Sequence, residues 1–275
     1  MALAPPGDIL RSTFLHLPGV GPITEAELWR HGVVSWEKFR LRGSLPGISE
    51  ERRRRLDREM ELAEQAMADR NAGWFARRLP VTEHWRLYPE FRNLTAFLDI
   101  ETTGLSPYQG IVTVVAVHTP GTTRSFVADD NLEELPAYLR RFQVLVTFNG
   151  IFFDVPFLEH RFPQLVVPPA HIDLRFTLRR LGYTGGLKRI EQELGLGDRT
   201  GVEGVYGLDA VRLWEEYRRG SSAALERLVQ YNRADTVNLE PLLEFAVREL
   251  RQRMMPGPSV FETARPFGET GIRAP

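Results

Sequence analysis

The chain has 275 residues, 43% of them hydrophobic and 26% charged, a profile that fits one sizeable core plus a small second unit and excludes a disordered chain. Zero cysteines exclude disulfides, thiolate zinc sites and cysteine nucleophiles, so any metal must sit on oxygen or imidazole ligands, which favours Mg²⁺ or Mn²⁺ and a cytoplasmic setting. The net charge of −1 argues against wholesale coating of nucleic acid, and the lack of a long apolar run or of a basic-then-apolar opening argues against a membrane span or secretory leader.

Residues 8–72 read as helices parted by glycine turns. An apolar stretch from Phe14 to Leu17 runs into Pro18-Gly19-Val20-Gly21-Pro22 and then a helix from about Thr24 to Arg30. A weaker second copy, Leu45-Pro46-Gly47-Ile48-Ser49, lets Ser49 cap a helix that continues to about Asn71. The spacing of Glu50 to Arg54 and Glu51 to Arg55 predicts i,i+4 ion pairs on a solvated face. Residues 73–93, with Trp74, Pro80, Trp85 and Pro89, show no period and are expected to be a packed linker. From Leu94 the pattern changes. Strands are expected at 96–100, 111–117, 123–128, 144–148 and 170–173, and helices at 131–142, 154–162, 174–181, 187–195, 208–219 and 221–250, with Pro241 kinking or ending the last. Early strands joined by short loops and later ones joined by helices imply a mixed sheet over 94–252, flanked by helices. The aperiodic tail, 253–275, is expected to be loosely held.

Three segments carry chemistry. In Phe97-Leu98-Asp99-Ile100-Glu101 an apolar strand ends in two carboxylates, and the two-residue period puts Asp99 and Glu101 on one face, about 7 Å apart along the strand. The strand at 144–148 ends in Asn149, with Asp154 opening the next helix either as a cap or as a third carboxylate of the same cleft. Asn149 is read either as a substrate contact or as the residue that closes the turn. In Tyr231-Asn232-Arg233-Ala234-Asp235 a spacing of four stacks Tyr231 and Asp235 on the helix stripe that faces the core, where a carboxylate needs a partner or a metal.

Together these segments resemble the exonuclease motifs of the DnaQ-like, RNase H-like superfamily: Asp-x-Glu at Asp99 and Glu101, Asn-x₃-Phe-Asp from Asn149 to Asp154, and Tyr-x₃-Asp at Tyr231 and Asp235. Tyrosine in the last motif is similar to the DEDDy branch; the DEDDh branch would place histidine at Gln230. Ile172-Asp173-Leu174 and Gly186-Leu187-Lys188 look like intervening segments of that fold, and the helical start makes the chain most similar to the stand-alone YprB-like group. The resemblance implies a mixed five-stranded sheet and a 3′-5′ exonuclease using two Mg²⁺ or Mn²⁺ ions. It implies that Asp99 bridges both ions, Glu101 and Asp235 complete the first, Asp154 supports the second, and Tyr231 orients the attacking water. Thr102 and Thr103 are expected at the terminal 3′-hydroxyl, Leu105 as a wedge between bases, and Lys188 at a backbone phosphate or at a solvated helix start. With tyrosine's ordinary pKa near 10, activity is expected to favour alkaline pH. Leu17-Pro18-Gly19-Val20-Gly21 resembles a helix-hairpin-helix turn, read either as a phosphate site or as a packing module. Two other functions stay open: a structure-specific endonuclease on the same fold, and a nucleic-acid adaptor without useful catalysis.

Overall fold

The computed structural model describes residues 8–43, 45, 48–201, 204 and 207–255. The expected Pro46-Gly47 turn, and the tail from Pro256 onward, lie outside the described residues. The N-terminal segment forms α1 (Asp8–Arg11), α2 (Pro22–Arg30), α3 (Trp36–Leu41), α4 (Glu50–Ala68) and α5 (Ala72–Ala76). Side-chain caps start three of them: Ser35 accepts from Lys38 N–H, Ser49 from Arg52 N–H, each at 3.2 Å, and Asn71 from Trp74 N–H at 3.0 Å. The expected i,i+4 pairs of α4 do not form among the described residues. Arg54 and Arg55 stand exposed, where an ion pair gains little against solvation. On the next positions Arg52 reaches back to the carbonyl of Gly19 (2.9 Å), and Arg53 reaches those of Arg40 and Gly43 (3.1 and 3.2 Å) while standing 3.8 Å from Glu50.

Between α5 and the sheet the chain makes a 3₁₀ turn, Val81–Leu87, and then α6 (Tyr88–Phe91). Pieces this short cannot display a helical period, which is why 73–93 looked aperiodic, yet Trp85, Arg86, Tyr88 and Phe91 are all at most 1% exposed. Arg86 is the polar centre of this region. It donates to Glu25 at 3.0 Å and to Glu83 at 2.7 Å, and Glu25 also accepts the N–H groups of Phe14 and Leu15.

The sheet holds β1 (Thr95–Thr102), β2 (Val112–Thr119), β3 (Thr122–Val127), β4 (Val144–Thr147) and β5 (Ala170–Asp173) in the order β3-β2-β1-β4-β5. The first three strands form an antiparallel meander, and β4 and β5 add in parallel on the far side of β1. β1 is therefore central, and its last residues run past β4 and pair on one side only, with β2. The connecting helices are α7 (Leu135–Leu139), α8 (Asp154–Arg161), α9 (Leu174–Arg179), α10 (Leu187–Leu194), α11 (Gly207–Arg218), α12 (Ser222–Val237) and α13 (Leu239–Met254). The single helix expected over 221–250 is two. Pro241 sits in the first turn of α13, where its missing N–H and its ring would break the ladder of a continuous helix, and the chain bends at Asn238.

Alternation along β1 divides the core. Ala96, Leu98 and Ile100 pack in a cluster with Leu135, Leu139, Phe157 and Leu158, whereas Phe97 joins Val144, Val146, Ala170 and Ile172 in a core shared with Trp36, Phe75, Trp85 and Leu242. The N-terminal helices and the sheet thus bury apolar surface against each other. His84 adds a polar tie: its Nδ1 accepts from His171 N–H on β5 while its Nε2 lies against the carbonyl of Ala76, both at 3.2 Å. No helix among the described residues is long and apolar enough to cross a membrane.

Replacing Arg86 by Met strands two buried carboxylates and is expected to cost about 3–5 kcal/mol in urea unfolding. Replacing Arg212, which is 56% exposed and pairs only on the surface of α11, by Gln is expected to change stability by less than about 0.5 kcal/mol in the same measurement.

Candidate active site

Asp99 and Glu101 lie where β1 ends, on the face that carries Phe97. A bulge follows: Glu101 pairs with Val114 and Thr102 with Val112, leaving Thr113 as the extra residue, whose hydroxyl donates to the carbonyl of Glu101 at 3.0 Å. The bulge ends regular pairing next to the carboxylates. Helix α12, capped by Ser221, crosses β1 and β2 with Leu228, Tyr231, Asn232 and Asp235 buried. It brings Asp235 to the strand, so that ligand oxygens of Asp99, Glu101 and Asp235 all lie within 4.8 Å of one another. Asn232, between the two motif residues of α12, donates to Asp99 Oδ2 at 2.8 Å and leaves its own Oδ1 buried and without a partner.

Asp154 is the first residue of α8, one past the N-cap position held by Phe153, and is 3% exposed. It stands outside the trio of ligand oxygens, yet its charge is the largest electrostatic influence on Asp99. Burial pushes Asp154 up to about 7, opposed by the N–H groups of Asp154 itself and of Ile100. Burial also raises Asp99 well above the usual carboxylate range, reinforced by Asp154, Asp235 and Glu101. Glu101 is raised in the same way, by burial first and by Asp235 and Asp154 next. Burial, then the charges of Asp235 and Glu101, raise Tyr231, so its hydroxyl stays protonated at any ordinary pH. The expectation that Tyr231 would keep its ordinary pKa is corrected accordingly.

The remaining residues singled out in the sequence fall around this cluster. Lys188, on α10, places its ammonium 4.5 Å from the centre of the Tyr231 ring and beside Glu101 and Asp235. The hydroxyls of Thr102 and Thr103 are engaged within their own turn, with Gly104 O and Ile111 N–H. Leu105 is 91% exposed. Asn149 closes its turn: it has a left-handed φ of 67°, its N–H donates to Asp173 at 2.8 Å, and its Oδ1 accepts from Arg175. Gly150 follows because a Cβ there would stand 2.4 Å from the hydroxyl of Thr147.

Sequence reasoning missed a second layer. Arg199 donates to both oxygens of Glu191 (2.5 and 2.9 Å) and to Asp235 Oδ1 (2.5 Å). Asn238, at the α12–α13 bend, donates to Glu191 Oε1 at 3.2 Å and accepts Asp198 N–H at 2.9 Å, fastening the loop that delivers Arg199. Arg199 lies 36 positions before Asp235 in an aperiodic loop, so no spacing rule could link them.

A cluster of oxygen ligands from buried carboxylates, compensated by one amide and two cations nearby, fits a hard divalent cation. Residues 96–247 match a family model described as the RNase_H superfamily, over more than half of the chain, and the chain belongs to that superfamily. No curated protein matches the chain. Among solved structures it is similar to the family B DNA polymerase from the hyperthermophilic archaeon Pyrobaculum calidifontis, at 21% identity over 62% of this chain and 26% of that one, TM-score 0.45. It is also similar to Brucella melitensis NrnC with bound Mg²⁺, at 21% identity over 59% and 76%, TM-score 0.40. The Aedes aegypti Nibbler EXO domain is similar at 11% identity over 66% and 90%, TM-score 0.41. The chain spans about a quarter of the polymerase's length, and likeness at these levels does not carry an activity across.

Because Asp154 binds its proton more tightly in the folded than in the unfolded chain, its contribution to stability is fully present below the unfolded value of 3.8 and is lost as pH rises through about 7. In chelator, the melting temperature is therefore expected to fall between pH 5 and pH 8, and Asp154→Asn to flatten that fall and gain about 3 °C at pH 8 by differential scanning fluorimetry.

Proposed function

We propose that the chain is a divalent-metal-dependent 3′-5′ exonuclease of the DEDDy type, akin to the YprB-like group, acting on nucleic-acid ends. The observation that carries this reading is the convergence of Asp99, Glu101 and Asp235 oxygens within 4.8 Å, with Asp154 and Tyr231 against them, in a chain of the RNase_H superfamily. Asp99, Glu101 and Asp235 would hold one Mg²⁺ or Mn²⁺, and Asp154 with Asp99 would support a second. Bound there, the ions supply charge neutralisation at the phosphate and a more acidic water.

The chain's own groups do the positioning. Asn232 fixes one oxygen of Asp99 and so turns the other toward the cleft. Tyr231, held protonated, acts as a hydroxyl that orients the attacking water and does not serve as a base. Lys188 and Arg199 bring positive charge to the rim, where the phosphate must enter past four carboxylates. Leu105, three residues past Thr102 and exposed, would part the last two bases.

Incubating 5′-labelled single strands of DNA and RNA with Mn²⁺ is expected to yield a ladder that shortens one nucleotide at a time, absent in chelator and in Asp99→Ala. Tyr231→Phe is expected to lower kcat about 10²-fold. Cleavage of a circular single strand, which has no end, would replace this reading with the endonuclease one. Arg199→Gln removes a cation beside Asp235 and is expected to tighten Mn²⁺ binding severalfold in calorimetry even where turnover drops.

A further inference from the structure

The carboxylates occupy the end of β1, and β4 and β5 run parallel to it, so all three strands finish at the same edge of the sheet. The turns that follow β4 and β5 present a surface the proposed chemistry does not use. Phe152, in the turn after β4 and two residues before Asp154, is 70% exposed; Phe176, in α9 after β5, is 36% exposed. Their rings meet edge to face, 5.9 Å apart at 71°, a contact that covers one face of one ring and leaves the rest of the exposed pair to solvent. The neighbouring Phe153, which lies in the family-like motif, turns inward and packs on Phe157. Phe152 thus contributes little to the core.

Both turns are fixed by one carboxylate. Asp173 accepts the N–H groups of Asn149, Ile151 and Arg175 at 2.8, 3.2 and 3.0 Å, and Arg175 Nη1 donates across to Asn149 Oδ1. The exposed residues of α9 include Arg175, Phe176 and Arg179, and the helix carries no acidic residue. Arg179 makes no ion pair among the described residues, whereas Arg180, just past the helix, is engaged by Glu83. Behind Phe176 a cavity of about 200 Å³ opens between Val81, Trp85, Ile151, Ile172 and Arg180. Exposed, rigidly mounted aromatic faces beside arginines, with no competing acid, are what unpaired bases and their phosphates require; a duplex hides its base faces.

We propose that Phe152 and Phe176, with Arg175 and Arg179, form a stacking platform for the bases of single-stranded nucleic acid, engaging nucleotides upstream of the end being cut. Phe152 follows β4, one strand spacing from β1, and Phe176 follows β5, two spacings away, so the platform spans roughly 5–10 Å across the sheet from β1 and engages the strand a short way from the reacting phosphate. It deepens the exonuclease reading, on which it rests, by making the preferred substrate a single strand.

The test is binding of the full chain, in Ca²⁺ so that the strand stays whole, to short 5′-labelled single strands of DNA and of RNA and to a blunt duplex of the same sequence. A fluorescent adenine analogue is placed near the 3′ end. The single strand is expected to bind about tenfold tighter than the duplex, with the analogue quenched by stacking. Phe152→Ala and Phe176→Ala are each expected to weaken single-strand binding about tenfold and to relieve the quenching, Phe152→Trp to restore both, and Arg179→Gln to reduce the salt slope by about 0.7. Wild-type affinity and quenching in both alanine variants overturn the platform, as does an equal loss on duplex and single strand. Strands left uncut in Mn²⁺ while these shifts appear sink the exonuclease reading alone; cutting without the shifts sinks the platform alone.

Discussion

Like charges held out of water constrain everything around the end of β1. Burial pushes up Asp99, Glu101 and Asp154, and the charges of Asp154 and Asp235 push Asp99 and Glu101 further. A fold that only sought stability would place apolar residues here. The chain instead surrounds the cluster with one amide from Asn232, the ammonium of Lys188 and the guanidinium of Arg199. These temper the repulsion without filling the cleft, and they leave a cation as the natural complement. A central position for β1, between an antiparallel and a parallel neighbour, lets α8 and α12 bring their acids to it from separate elements.

Other buried acids in the same chain show what a structural carboxylate looks like. Asp173 satisfies itself with three backbone N–H groups, and Glu25 with two and with Arg86. Both oxygens of Glu191 are taken by Arg199, with Asn238 added. Each of these carboxylates is met by several donors within the fold. The cleft carboxylates instead crowd one another, with the oxygens of Asp99, Glu101 and Asp235 within 4.8 Å, and that contrast, more than burial itself, sets the cluster apart from the scaffold.

Most of the sheet could be read from the sequence because each strand is a short apolar run bounded by polar turns, and β5 falls at 170–173 as the run predicted. The spacing rules also found the carboxylates, since period two on a strand and period four on a helix are local properties. What escaped was set at a distance. Arg199 meets Asp235 through a loop with no period of its own, and Asn238 reaches that loop only because Pro241 bends the chain just before it. The carbonyls that Arg52 and Arg53 reach, at Gly19, Arg40 and Gly43, likewise belong to turns that only the folded chain brings near. Aperiodic residues around Trp85 hid a densely buried stretch because 3₁₀ geometry leaves no amphipathic signature.

The core that runs from Trp36 and Phe75 through Trp85 to Val144, Val146 and Ile172 is continuous. A segment tethered by a loose linker samples many distances from its neighbour; one that packs its side chains into the core of the sheet samples one. The turn at Gly19, held by Arg52, therefore keeps a constant bearing on the carboxylates. Span, and not local concentration, is the quantity such an arrangement controls.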